Sequence, residues 1–154
     1  MTEITKWIDV NVPVRTAYDQ WTQFESFPQF MEGVEEVKQL DDSHLHWKVT
    51  IGGKTQEYDA VVTEQLPNDR VAWKSTSGTP NAGVVTFHRL SEDQTRVTVQ
   101  ISWEPQDMTE KVGSSLGFDD RQIQQALENF KRFIEERGAP TGAWRGTVEQ
   151  GQTK

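Results

Sequence analysis

From Val34 to Pro105 the apolar residues recur at every second position, in short runs broken by turn residues, and no other feature constrains the fold as strongly. Leu45, Trp47, Val49 and Ile51 alternate with His44, His46, Lys48 and Thr50, so one face of an extended segment is apolar and the other polar. The Gly52-Gly53 pair that follows tolerates positive φ at both positions and predicts a two-residue hairpin. Tyr58, Ala60 and Val62 continue on the returning strand to a turn at Leu66-Pro67-Asn68-Asp69. Val71 and Trp73 alternate next, before a break at Ser77-Gly78-Thr79-Pro80-Asn81. Val85 and Phe87 belong to a strand ending near Ser91-Glu92-Asp93, and Val97, Val99, Ile101 and Trp103 to the most regular one, stopped by Pro105. A short, weakly alternating strand from Val34 to Leu40 stands in front. Six strands this closely spaced leave no room for crossover helices, so they form an antiparallel meander.

The flanks supply what covers one face of that meander. Ile4, Lys6, Ile8, Val10 and Val12 alternate with polar neighbours and read as a further half-buried strand. Pro13 suits the first turn of a helix, where its missing N–H costs nothing. Val14, Ala17, Tyr18, Trp21 and Phe24 then share one helical face. Phe27, Phe30 and Met31, interrupted by Pro28, predict a stubby second helix or turn bounded by Gly33. After Pro105 the pattern is helical to Arg137, with Val112, Leu116, Ile123, Leu127, Phe130 and Ile134 on one face and Gly138 and Pro140 as stop signals. Such a long apolar stripe needs a wide surface to lie on, and the inward faces of the meander provide it. Residues 1–137 therefore read as a single α+β domain, and 138–154, glycine-containing and mostly polar, as a flexible C-terminal tail that Trp144 could tether.

Composition narrows the function classes. The 154 residues hold no cysteine, which excludes a disulfide scaffold, a thiolate metal site and a cysteine nucleophile. Sixteen Lys+Arg against 24 Asp+Glu give a net charge of −8, the wrong sign for a nucleic-acid or anionic-membrane partner. No apolar run exceeds three residues, so no membrane insertion is expected, and the start lacks the apolar core of a signal peptide. A cytoplasmic location is the expectation. Six Trp and seven Phe within only 34% hydrophobic residues concentrate the apolar material in large rings, which fill a core or line a pocket for a greasy or flat ligand.

The order of strand, two short helices, six antiparallel strands and one long helix resembles the START-like, helix-grip fold. Within that superfamily the chain is similar to the polyketide cyclase/dehydrase and coenzyme Q-binding branch. The likeness runs through Val12-Pro13-Val14, Tyr18, Trp21, Phe27-Pro28-Gln29-Phe30-Met31, Val71-Ala72-Trp73-Lys74-Ser75, Gly83-Val84-Val85-Thr86-Phe87, Thr95-Arg96-Val97-Thr98-Val99 and Asn129-Phe130-Lys131. It implies a seven-stranded curved sheet wrapped around the C-terminal helix, with a cavity between them for a hydrophobic small molecule: a lipid, an isoprenoid or quinone, or an aromatic polyketide. It implies no cofactor, and oligomeric state is not legible.

Alternation puts Trp47, Tyr58, Trp73, Phe87, Val99 and Trp103 on the sheet side of such a cavity. Leu116, Ile123, Leu127 and Phe130 face them from the helix, with Phe27, Phe30 and Met31 near the mouth. The same rings could simply fill the interior. Catalytic signals are thin. His44, His46 and His88 fall on outward faces, and neither a phosphate loop nor a metal-ligand motif occurs. Asp119 and Asp120 fall where the helix stripe should place its next inward residue, so one could be a desolvated acid or base, while Asp119 with Gln122 also matches a capping box. Ser75, in phase with Trp73, and Tyr58 are the other candidates. Glu57 and Asp59 point outward, as a salt-bridging face would. Three functions stay open: a hydrophobic-ligand binder, a cyclase or dehydratase using the same cavity, and an interaction module with a filled core.

Overall fold

The computed structural model describes residues 2–31, 34–41, 43–51, 54–77, 81–103, 120–144, 146–149 and 152–153. Strand β1 (Thr2–Val10) leads into helix α1 (Val14–Trp21), with Pro13 at its N-cap, and then a 3-10 helix (Phe24–Gln29) containing Pro28. The meander follows: β2 (Val34–Gln39), β3 (His44–Ile51), β4 (Lys54–Leu66), β5 (Arg70–Ser77), β6 (Asn81–Ser91) and β7 (Gln94–Trp103). Helix α2 (Asp120–Arg137) comes next, then two-residue strands β8 (Val148–Glu149) and β9 (Gln152–Thr153).

The main sheet is antiparallel in the order β1-β7-β6-β5-β4-β3-β2, a curled half-barrel that grips the C-terminal helix. From β2 to β7 each strand pairs with the next in sequence, as the short turns require, and β1 closes against β7. Local chemistry makes the corners. Asn68 adopts φ 63° in the β4–β5 turn, a left-handed conformation its short side chain tolerates, while the Asp69 N–H donates to the Leu66 carbonyl. The β4–β5 ladder shifts register twice, with Thr76 the extra residue on β5 and Thr63 the extra residue on β4, and such bulges bend the paired strands.

The inward residues named from the alternation form one core. Leu45, Trp47 and Val49 from β3, Tyr58, Ala60 and Val62 from β4, Val85 and Phe87 from β6, and Val97 and Val99 from β7 are buried. They meet Ala17, Tyr18 and Trp21 of α1, and Ile123, Leu127, Phe130 and Ile134 of α2. The end of α2 is pinned to the end of β1: Lys131 Nζ donates to the Asp9 carbonyl at 3.0 Å, and the Asn11 N–H donates to Glu135 Oε2 at 2.7 Å. Gly138 stops the helix at φ 72°, its N–H returning to the Ile134 carbonyl.

Thr141, Trp144 and Val148, within the stretch expected as a flexible tail, make specific contacts with the domain. The Thr141 N–H donates to Gln20 Oε1 at 2.7 Å and the Trp144 N–H to Thr22 Oγ1 at 3.1 Å, both groups of α1 and its C-cap. β8 then pairs with Glu64 and Gln65 of β4, the stretch of that edge beyond the reach of β3, and Val148 is fully buried. An unpaired strand edge and buried acceptors on α1 both need partners, and this segment supplies them. The folded unit therefore runs past residue 137.

Candidate functional site

The concave face is built from residues that the ladder places in rows. One row crosses the sheet as Ile4, Ile101, Gly83 and Trp73; the next as Lys6, Val99, Val85, Val71 and Gln65. Rings from α1, the 3-10 helix and α2 close over one end of it. Phe130 lies edge-on to Trp21 at 5.0 Å and to Phe30 at 5.4 Å, and Tyr18 lies edge-on to Phe87 at 5.5 Å. Phe27 touches Trp21, Phe30 and Trp47, and the Trp47 indole stacks on Tyr58 at 5.9 Å with 9° between planes.

This arrangement brings Phe27, Phe30, Trp47, Tyr58, Phe87, Val99, Ile123, Leu127 and Phe130 into one buried cluster, with Met31 and Trp73 partly buried against it. Trp103 is placed by its pairing with Thr2 and Asn81. Leu116 and Asp119 lie outside the described residues; Asp120 opens α2, and its side chain is likewise outside them.

Away from the ring cluster the same face is half-buried and more polar. Ser75, Asn81, Gly83, Ile101 and Trp73 are neither sealed nor fully open. The Trp73 Nε1–H donates to Asn81 Oδ1 at 3.3 Å, and the Asn81 N–H donates to Ser75 Oγ at 2.9 Å. Ser75 Oγ thus accepts from the backbone and keeps its own proton to donate. Tyr58 differs: burial alone pushes its phenol far above the ordinary value, so it stays neutral and can donate but not act as a base.

Several polar groups of this face escaped the sequence pattern. Gln65 is fully buried in the row of Val71, and neither end of its amide has a hydrogen-bond partner among the described residues; the Trp47 indole N–H is also buried and unpartnered. Lys6, half-buried, stands in register with Val99. For Gly83 a signal did exist, since an isolated glycine inside a strand often marks a close approach.

The outer face behaves as the alternation implied. His46 Nδ1 lies 2.7 Å from Asp59 Oδ1 and its Nε2 lies 3.0 Å from Glu57 Oε1, while Ser77 Oγ donates to Asp59 Oδ2 at 2.9 Å. The hydrogen bond to Asp59, reinforced by Glu57, raises the imidazole pKa, and the bond to His46 lowers both carboxylates. His44 is held by Asp41, and His88 is exposed. Among the described residues there is no group of three His, Cys, Asp or Glu able to hold a metal, and no helix long and apolar enough to cross a membrane.

Comparison with known proteins agrees with this geometry. A family profile described as polyketide cyclase/dehydrase and lipid transport matches residues 10–132. An uncharacterized 17.2 kDa protein from the melC2-rnhH intergenic region of Streptomyces lincolnensis is 54% identical over 149 residues, 96% of this chain and 99% of that one. A START superfamily protein from Mycobacterium smegmatis shares the fold with a TM-score of 0.72 at 17% identity, over 88% of this chain and 98% of its own. The Zhui aromatase/cyclase of Streptomyces sp. R1128 does so with 0.73 at 11%, over 93% and 99%. A profile spanning most of the sequence establishes that the chain belongs to the polyketide cyclase/dehydrase and lipid transport family.

Proposed function

We propose that this chain binds a hydrophobic small molecule on the concave face of the sheet, beneath α2. Burial against aromatic and aliphatic side chains supplies the affinity, and one or two polar groups set the orientation. The family supports a ligand-binding or cyclase role. The observation carrying the binding reading is the uneven filling of that face. Val71, Val85, Val97 and Phe87 are sealed, whereas Trp73, an inward ring in the middle of the same sheet, is left half-buried beside Ser75 and Asn81. Trp21 and Trp47, rings of the same size, are sealed, so Trp73 is the inward indole left open to a ligand.

The test is native mass spectrometry of the purified protein, followed by solvent extraction and titration with 1-anilinonaphthalene-8-sulfonate and a short-chain quinone. A stoichiometric hydrophobic adduct, or saturable micromolar binding of either probe, supports the reading. A clean mass with no saturable binding of either probe overturns it in favour of a module with a filled core.

A cyclase or dehydratase working on a poly-β-keto chain is the second reading, favoured by Ser75 and Tyr58 standing on the concave face as neutral hydroxyls. Its catalysis would rest on holding the chain in a productive fold, with a hydroxyl donating to a developing oxyanion. Under that reading Tyr58→Phe abolishes turnover and leaves probe affinity in place.

A further inference from the structure

We infer that Gly83 sets the shape specificity of the concave face: it leaves room for the Trp73 indole to lie flat on the sheet, forming a fixed aromatic floor that takes a planar ring in preference to a puckered ring of equal size. This rests on the reading of that face as a ligand site. The β5–β6 ladder places Trp73 directly opposite Gly83. A Cβ at position 83 would lie 2.5 Å from Trp73 Cζ2 and 2.6 Å from Cη2, with the Gln100 carbonyl oxygen 3.0 Å away on the other side. No side chain fits there while the ring keeps its place. Backbone freedom is not the reason for the glycine, because Gly83 is paired in register on both sides, with Trp73 and with Ile101, and its φ is not positive.

Two further observations point to a platform and not to ordinary packing. The indole is held in its own plane by the bond from Nε1 to Asn81 Oδ1, and Asn81 is in turn fixed to Ser75. Among the described residues Trp73 also joins none of the ring pairs that lock the other inward aromatics together, and it stays half-buried with its Cζ2 and Cη2 atoms over Gly83. An indole face that no ring among the described residues covers is complementary to another flat π-system. A puckered ring touches it at only a few hydrogens.

The experiment compares 2-naphthol with trans-decahydro-2-naphthol, which share a hydroxyl and a ten-carbon bicyclic frame but differ in flatness, by isothermal titration against the whole chain. The wild type should favour 2-naphthol by about fivefold, the middle of the range for an aromatic pair beyond its buried area. Gly83→Ala should bring the ratio to about one by lifting the indole, and Trp73→Leu should do the same by removing it. The ratio of the two affinities, not either alone, is the readout, because a general loss of packing lowers both. Should Gly83→Ala lose its cooperative melt, Trp73→Leu and the wild-type ratio still decide. Failure of both probes to bind the wild type overturns this inference and the ligand-site reading together. Equal binding of both leaves the ligand-site reading standing and overturns the floor. A preference that survives both substitutions overturns the assignment to Gly83.

Discussion

The two ends of the concave face are made from the same kinds of residue and are finished differently. At one end Tyr18, Trp21, Phe30, Phe87 and Phe130 meet edge to face, every ring buried, with helices from both flanks pressing on the sheet. At the other, Trp73 lies against a glycine, tied by its N–H to Asn81 at the start of β6, and no ring among the described residues caps it. The first arrangement maximises contact and immobilises every partner, which is what stability asks of a core. The second gives up contact on one face of a large ring while fixing that ring's position, which is what recognition asks of a wall. Under the proposed reading, stability and binding fall to different stretches of one surface, and substitutions should separate them.

The largest expected effect is at the closed end. Phe130→Ala removes a fully buried ring that touches Trp21 and Phe30, and urea melts should show a loss of about 3–5 kcal/mol. The 2-naphthol preference of whatever remains folded should be unchanged; if the preference disappears as well, the two ends are not separate. Deleting residues 141–154 should cost roughly 3 kcal/mol, because Val148 leaves the core and the Gln20 and Thr22 oxygens lose their backbone donors. An unshifted melting curve would show that β8 does not support α1. Ser75→Ala, at the open end, should cost about 1 kcal/mol of stability through the lost acceptor for Asn81. Its clearer readout is calorimetric, a weaker 2-naphthol preference as Asn81 releases the indole.

The smallest effect belongs to neither end and serves as a control. The folded state raises the His46 pKa above its unfolded value, so that contribution to stability is complete below the ordinary imidazole value of 6.5 and is lost as pH climbs through the raised one. Glu57 and Asp59 are shifted down, so theirs is complete above the ordinary Glu value of 4.5 and is lost as pH falls through the lowered ones. Between those limits the trio is most stabilising. His46→Gln should flatten the decline above pH 6.5 in melting temperature recorded against pH, and should leave probe binding unaltered at every pH. A change in binding would connect the outer face to the inner one.

Much of this was legible from residues alone. Alternation identified the inward faces of β3, β4, β6 and β7, because burying one side of a pleated strand leaves a period of two that nothing else produces. The outward placement of Glu57 and Asp59 was legible for the same reason, although their shared grip on His46 needed the cross-strand register. The short segment Val148–Glu149 was not, since two residues carry no period and one valine among polar neighbours looks like a tail. The bulge at Thr63 of β4 was equally hidden, and it shifts Gln65 into the inward row of Val71. Gly83 is an intermediate case. Its position inside a strand was visible, but the reason for it lies in a ring ten residues earlier that only the ladder brings alongside.

The docking of the last segment also has a consequence for how the chain is made. Gln20 and Thr22 wait 121 and 122 residues for the donors that complete them, and the β4 edge at Glu64 and Gln65 waits equally for Val148. On a ribosome, which releases a chain from its first residue onward, the meander can assemble strand by strand as it emerges. Its final closure cannot come before residue 149 is free, so translation leaves that strand edge open until this segment has emerged. Pairings this distant in sequence also carry a large loop-closure cost, and refolding of the whole chain should accordingly be slow beside that of helical proteins of its size.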